Sequence, residues 1–166
     1  MCIRDRINLR FYVRRRVGDE WRRGVTFVRE FVPRRAIAWT ASAFYNEPYH
    51  AVPTRHRELV YEWRHRGRWH VLGAEVEGAA RELPTGSPEE FIIEHYYGYT
   101  RQRDGGTVEY QVEHPRWRVW TAQRTWLDAD STSLYGADFA PALNAAPQSA
   151  FVAEGSPVIV RRAVRI

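Results

Sequence analysis

The sequence predicts a β-rich α+β domain: a curved antiparallel sheet or β-cone with two or three short helices packed against it. Three observations carry that expectation. Apolar residues alternate with period two along most of the chain, turn residues separate the alternating runs, and helical spacing is confined to short segments that open on proline. The 166 residues fit one domain that can bury a core without disulfide or metal staples. Hydrophobic residues make up 44% and aromatics 14%, which places the chain among folding rather than disordered sequences.

The elements run in order along the chain. Leu9, Phe11 and Val13 alternate with Asn8, Arg10, Tyr12 and Arg14, Val17-Gly18-Asp19 turns the chain, and Trp21 to Val32 returns as the second arm of a long hairpin. Pro33 suits a first helical turn, where its missing N–H is not needed, and Ile37, Ala41, Phe44 and Tyr45 recur at helical spacing. That helix, about Arg34 to Tyr45, ends ahead of Pro48. Leu59 to Arg64 and Trp69 to Glu77, joined at Gly67, form a second hairpin. Ser87-Pro88-Glu89-Glu90 is a capping box that opens a short helix through about His95. Tyr96 to Arg103 and Thr107 to Glu113 make a third hairpin around Asp104-Gly105-Gly106. Trp117 to Leu127 is a strand, Ser131 to Leu143 holds one or two helical turns, and Pro157 to Val164 closes the chain as a strand.

Composition excludes several classes of chemistry. All 25 basic residues are Arg, so a lysine Schiff base and the Lys of a phosphate-binding P-loop are both ruled out. The dinucleotide fingerprint and the GxSxG nucleophile elbow are missing, and no cofactor is expected. Cys2 is the single cysteine, which excludes an intrachain disulfide and a Cys-based zinc site. The six His form no compact ligand motif, so no metal is expected. No apolar run approaches the roughly 20 residues that span a bilayer, and the layout of a secretory signal is missing, so a cytoplasmic protein with no membrane partner is expected. The net charge of +5 admits an Arg surface for nucleic acid, but 20 acidic residues interleave with the Arg and no nucleic-acid motif is present. The competing reading is a solvated outer face of strands.

Few residues carry candidate chemistry. Glu30 shares a face with Val28 and Val32, and Arg29 with Phe27 and Phe31, so this strand is expected to be covered on both sides. Glu30 is then either a pocket carboxylate with a raised pKa or one half of a structural ion pair. His114, in parity with Val108, Tyr110 and Val112, is either an acid/base group at a sheet rim or a hydrogen-bonded core histidine. Glu94-His95-Tyr96-Tyr97-Gly98-Tyr99 gathers three phenols and a carboxylate, suited to a pocket wall or to an aromatic core.

Met1 to Arg6, MCIRDR, differs in character from the rest of the chain and resembles a translated sequencing-adapter remnant, so the domain is taken as 7–166. Within it, Asn8-Leu9-Arg10 with Tyr12, Gly24-Val25-Thr26-Phe27, Tyr45-Asn46-Glu47-Pro48-Tyr49, Phe91 to Tyr99, Glu113-His114-Pro115 with Trp117, and the ending from Ala150 to Ile166 resemble the YqjF-like family, domain of unknown function 2071. Members carry a further stretch ahead of the Asn-Leu-Arg strand. The resemblance therefore implies an N-terminally truncated domain whose unpaired edges favour aggregation or a homo-oligomer.

The resemblance also implies a fold similar to acetoacetate decarboxylase, a β-cone around a small pocket. Where that enzyme family has Gly-Arg-Glu leading to Gly-x-Pro-Lys, this chain has Ala41-Ser42-Ala43 leading to Asn46-Glu47-Pro48-Tyr49-His50. Pro48 matches, but Tyr49 and His50 stand where lysines would be, so decarboxylation through an imine does not carry over. What the resemblance leaves is non-covalent binding of a small acidic or carbonyl-bearing molecule. Arg10 would pair its acid group, Glu30 would position that Arg or act as base, and Tyr49 and Tyr97 would donate hydrogen bonds. The alternative is a cofactor-free acid/base enzyme in the same pocket, with Glu30 or His114 as base and a Tyr as acid.

Overall fold

The computed structural model describes residues 6–33 and 49–166. The expected first helix and the Asn46-Glu47-Pro48 stretch lie outside the described residues. β1 (Ile7–Val17) and β2 (Glu20–Val32) form the long hairpin, closed where Gly18 takes a φ of +60° that side chains disfavour. Their register runs from Val17↔Glu20 to Ile7↔Phe31, with a bulge where Leu9 pairs Arg29 and Arg10 pairs Phe27. β3 (Tyr49–Ala51) then lies parallel to the end of β2, pairing Tyr49 with Glu30 and His50 with Phe31.

The second hairpin is β5 (Val60–His65) and β6 (Arg68–Val76), turned through Arg66 and Gly67, both at positive φ as a tight two-residue hairpin turn requires. β4 (Thr54–Arg57) flanks β5. Ser87 caps α1 (Pro88–Ile93) by accepting from the Glu90 N–H at 3.2 Å, while the Glu90 carboxylate turns back to the Gly86 N–H at 2.6 Å. β7 (Tyr97–Arg101) and β8 (Thr107–Glu113) form the third hairpin. β9 (Val119–Asp128) precedes α2 (Ser131–Tyr135) and α3 (Ala140–Asn144), and β10 (Phe151–Ala153), β11 (Ile159–Val160) and β12 (Val164–Arg165) finish the chain.

Two sheets result, and the described strands close no barrel. One runs β1-β2-β7-β8-β11, with β3 on β2 and β12 on β8; the other runs β10-β9-β6-β5-β4. The β-rich class with three short packed helices agrees with the sequence pattern, while two pairings depart from antiparallel order: β2 runs parallel to both β3 and β7. In the second, Gly24 permits the close approach, since a Cβ there would stand 2.6 Å from the Tyr97 carbonyl oxygen and 2.5 Å from the Tyr99 ring, while Gly98 admits the Tyr110 ring of β8. The single closing strand expected over 157–164 is instead two two-residue strands on β8, because loop residues intervene between their ladders.

Ile7, Phe31, Trp63 and Leu134 form one core cluster, with Val52, Ala129 and Tyr135 against it, and Leu83, Ile93 and Val119 form another. Phe31 has no exposed surface, whereas Phe11 on the same hairpin is 44% exposed. Phe31→Ala therefore removes a large side chain from a site that cannot collapse, and is expected to cost about 3–5 kcal/mol, with Phe11→Ala below about 1 kcal/mol. Urea denaturation of both variants checks this; equal losses would contradict the assignment of Phe31 to the core.

Candidate functional site

The C-terminal end of β2 carries the most deeply buried charge described. Hydrogen-bonded between β1 and β3, it encloses Glu30, Phe31 and Val32 completely, in keeping with a charge among apolar residues on both faces. The Glu30 carboxylate meets Arg6, with Nη1 3.1 Å from Oε2, and the same Nη1 donates to the Tyr49 hydroxyl at 3.2 Å. Burial works against the Arg6 charge, but Glu30 and then Tyr49 outweigh it and hold the guanidinium above its ordinary pKa. Two sequence candidates, Glu30 and Tyr49, are thus brought together, and the guanidinium that serves them is Arg6 rather than Arg10. The sequence pattern alone sets Arg6 aside with the leader. The signal for it is its place one alternation before Asn8, which pairs with Glu30.

The other candidates lie apart from this pair. Arg10 Nη2 donates to the Ile92 carbonyl at 2.7 Å, tying β1 to α1. His114 is half-buried; its ring stacks on Trp117 at 4.2 Å and its Nδ1 lies 2.9 Å from the Pro115 carbonyl.

Tyr97 lines a cleft of about 610 Å³ between the turn end of the β1–β2 hairpin and α1, whose walls include Arg22, Arg23, Phe91, Glu94 and Tyr96. The charges there are unequally committed. Arg22 and Arg15 share the Glu109 carboxylate, at 2.5 and 3.1 Å, and Arg22 also lies over the Tyr97 ring at 4.5 Å. Glu90 is answered by Arg116. Arg23 lies over the Phe91 ring at 5.4 Å and makes no salt bridge among the described residues. The Tyr96 hydroxyl donates to Glu94 Oε2, and Glu94 Oε1 is buried without a hydrogen bond. Burial first, and then Glu94, push the Tyr96 phenol up to about 12, so it stays a donor.

His95, which the sequence did not single out, packs against Phe91 of the cleft wall without itself lining the cleft. It is 7% exposed, 4.8 Å from both the Tyr12 and Phe91 rings. Its place four residues after Phe91, at the end of the predicted helix, was the readable signal. Elsewhere, many Arg side chains are spent in exposed cross-strand pairs such as Arg55–Glu62, Arg118–Glu154 and Arg161–Glu113. Such pairs contribute little to stability. Among the described residues no three His, Cys, Asp or Glu converge as metal ligands, and no helix is long and apolar enough to cross a membrane.

Fold and cleft together define a β-rich α+β protein with an aromatic cleft of mixed charge. The chain belongs to the DUF2071 family, described as an uncharacterized conserved protein, whose family model matches residues 3–157. No curated protein and no solved structure matches the chain.

The burial of His95 makes stability depend on pH. Burial first, then Arg23 and Arg10, lower the His95 pKa from 6.5 to about 4. Between those values the unfolded chain binds the proton and the folded chain does not, so stability is full above about pH 6.5 and is lost as pH falls toward 4. The expected loss is on the order of 2 kcal/mol. His95→Phe is expected to reduce this slope, leaving the part due to His50, His65 and His70, whose pKa values burial also lowers. Urea titrations from pH 7 to 4 decide the point, and an unchanged slope in the variant would contradict it.

Proposed function

We propose that this protein binds a small organic acid, or a carbonyl-bearing relative of one, without covalent attachment, in the cleft between the β1–β2 turn and α1. The observation that carries this reading is Arg23, a guanidinium in the cleft wall that has an aromatic ring beneath it and makes no salt bridge among the described residues, Glu90 acting on it only at longer range while held by Arg116. Arg23 would take the acid group of the ligand through charge-assisted hydrogen bonds, and the neighbouring Tyr97 hydroxyl would donate a further one. Glu94 Oε1, buried and without a hydrogen bond, favours a ligand whose other end donates, such as a hydroxyl or amino group.

Acid/base turnover in the same cleft is the second reading. The Glu94–Tyr96 pair favours it, since a carboxylate and a phenol face the same space there. This moves the candidate base from Glu30 and His114, neither of which lines the cleft, to Glu94.

Calorimetric titration with a panel of 2-oxo and 2-hydroxy acids tests the binding reading. Arg23→Ala is expected to weaken the best binder about tenfold or more, and Tyr97→Phe about three- to tenfold. Equal affinities in wild type and Arg23→Ala would reject it. Product formation from the bound acid, lost in Glu94→Gln with binding retained, would select turnover.

A further inference from the structure

Trp21 is 56% exposed, more than any other Phe, Tyr or Trp among the described residues, while Phe31 and Trp63 are almost fully enclosed. It stands two residues before Arg23 on the same face of the β1–β2 hairpin, since Arg16 pairs with Trp21 and Arg14 with Arg23. Trp21, Arg23 and Phe91, the last 38% exposed, all line the cleft between the hairpin turn and α1. A single exposed ring on an open face is ordinary, but exposed rings gathered in a groove with charged groups at its rim mark a binding surface.

Both rings are held in place before any ligand arrives. Arg14 lies over the indole at 4.5 Å and does not itself line the cleft, so Trp21 is covered on one side by a guanidinium and presents another part of its surface to the cleft. Phe91 is fixed by the Tyr12 ring at 5.0 Å and the His95 ring at 4.8 Å, with Arg23 over it at 5.4 Å. A ring already ordered loses little freedom when a second ring packs on it.

The hairpin register also fixes where a negative group belongs. Two successive rungs set like charges opposite each other, Arg15 with Arg22 and Arg14 with Arg23. Glu109 answers the first, at 3.1 and 2.5 Å. On the other face neither Arg14 nor Arg23 makes a salt bridge among the described residues, and Glu90, on which the Arg23 charge acts, is held by Arg116. Residues two apart on a strand stand about 7 Å apart, so one ligand that meets both Arg23 and Trp21 carries its acid group only a short chain away from the part that packs on the indole.

We infer that the acid bound in this cleft is an aryl acid, its planar ring packed on Trp21 and Phe91 and its acid group on Arg23. This rests on the reading of the cleft as an acid-binding site and adds a ligand class and the residue, Trp21, that selects it. An aliphatic acid of the same length covers less of the indole and lacks the face and edge contacts that paired rings make.

Calorimetric titration of the whole chain with pyruvate, phenylpyruvate and cyclohexylpyruvate separates the ring from the acid group. Phenylpyruvate is expected to bind about tenfold or more tightly than pyruvate, and about threefold more tightly than cyclohexylpyruvate, whose ring is apolar but not planar. Trp21→Ala is expected to remove most of the preference over pyruvate while leaving pyruvate itself within about twofold of wild type. Trp21→Leu, which keeps apolar bulk, should equalise phenylpyruvate and cyclohexylpyruvate. Phe11→Ala, an exposed ring on the opposite face that packs against Phe139, should change none of these affinities. Equal binding of phenylpyruvate and pyruvate by wild type, or a preference that survives in both Trp21 variants, would overturn the aryl class and leave the acid site standing. Failure of all three acids to bind would overturn both.

Discussion

The enclosure of β2 at Glu30, Phe31 and Val32 is the constraint on which the rest of the described structure depends. A strand covered on both faces must satisfy opposite demands on successive residues. Here one face needs a cation for Glu30 and the other needs apolar area for Phe31. The parallel partner β3 serves both, because its register sets Tyr49 beside Glu30 and His50 beside Phe31. On the antiparallel side, Ile7 pairs with Phe31 and joins the core, while Asn8 pairs with Glu30. Shifting either partner by one residue would bring the apolar set to the carboxylate and the polar set to the core, so the buried ion pair and the core specify the same register.

Burial sorts the arginines into different roles. Those on outer strand faces meet Glu or Asp across the ladder and keep much of their hydration, so they add solubility and little stability. Arg6 is held between a buried carboxylate and a phenol, where its charge is required. Arg10 is engaged by a backbone carbonyl and holds α1 against β1. Arg22 is pinned twice, by Glu109 and by the face of Tyr97, which makes it a rigid neighbour for whatever Arg23 contacts.

Local physics made much of this legible in the sequence. Three hairpins were readable because period-two alternation and turn residues act within a few residues of each other, and α1 because Ser87, Pro88 and Glu90 form a self-contained cap. The enclosure of Glu30 was readable because a charge interrupts apolar runs on both faces. What escaped was set at long range. The parallel pairing of β2 with β7 sets the Tyr97 carbonyl and the Tyr99 ring against Gly24, a contact no local pattern encodes. β3, β10, β11 and β12 are two or three residues long and exist through the hydrogen bonds of their partners. Arg10, Tyr97 and His114 fell in separate places because parity assigns a face of a strand, not which distant element lies over it.

The absence of lysine then limits what these surfaces can do. A guanidinium remains protonated and is a poor nucleophile, so this chain's side chains provide no amine for an imine, and charge must be met by hydrogen bonding. The strength of such a contact depends on how little else the donor is engaged in, since a guanidinium already paired must give up one acceptor to gain another. By that measure the number of arginines matters less than their setting. Arg29, half-buried and engaged by the Leu134 carbonyl, makes no salt bridge among the described residues, whereas Arg23 stays exposed in the cleft wall, in the field of a Glu90 already held by Arg116.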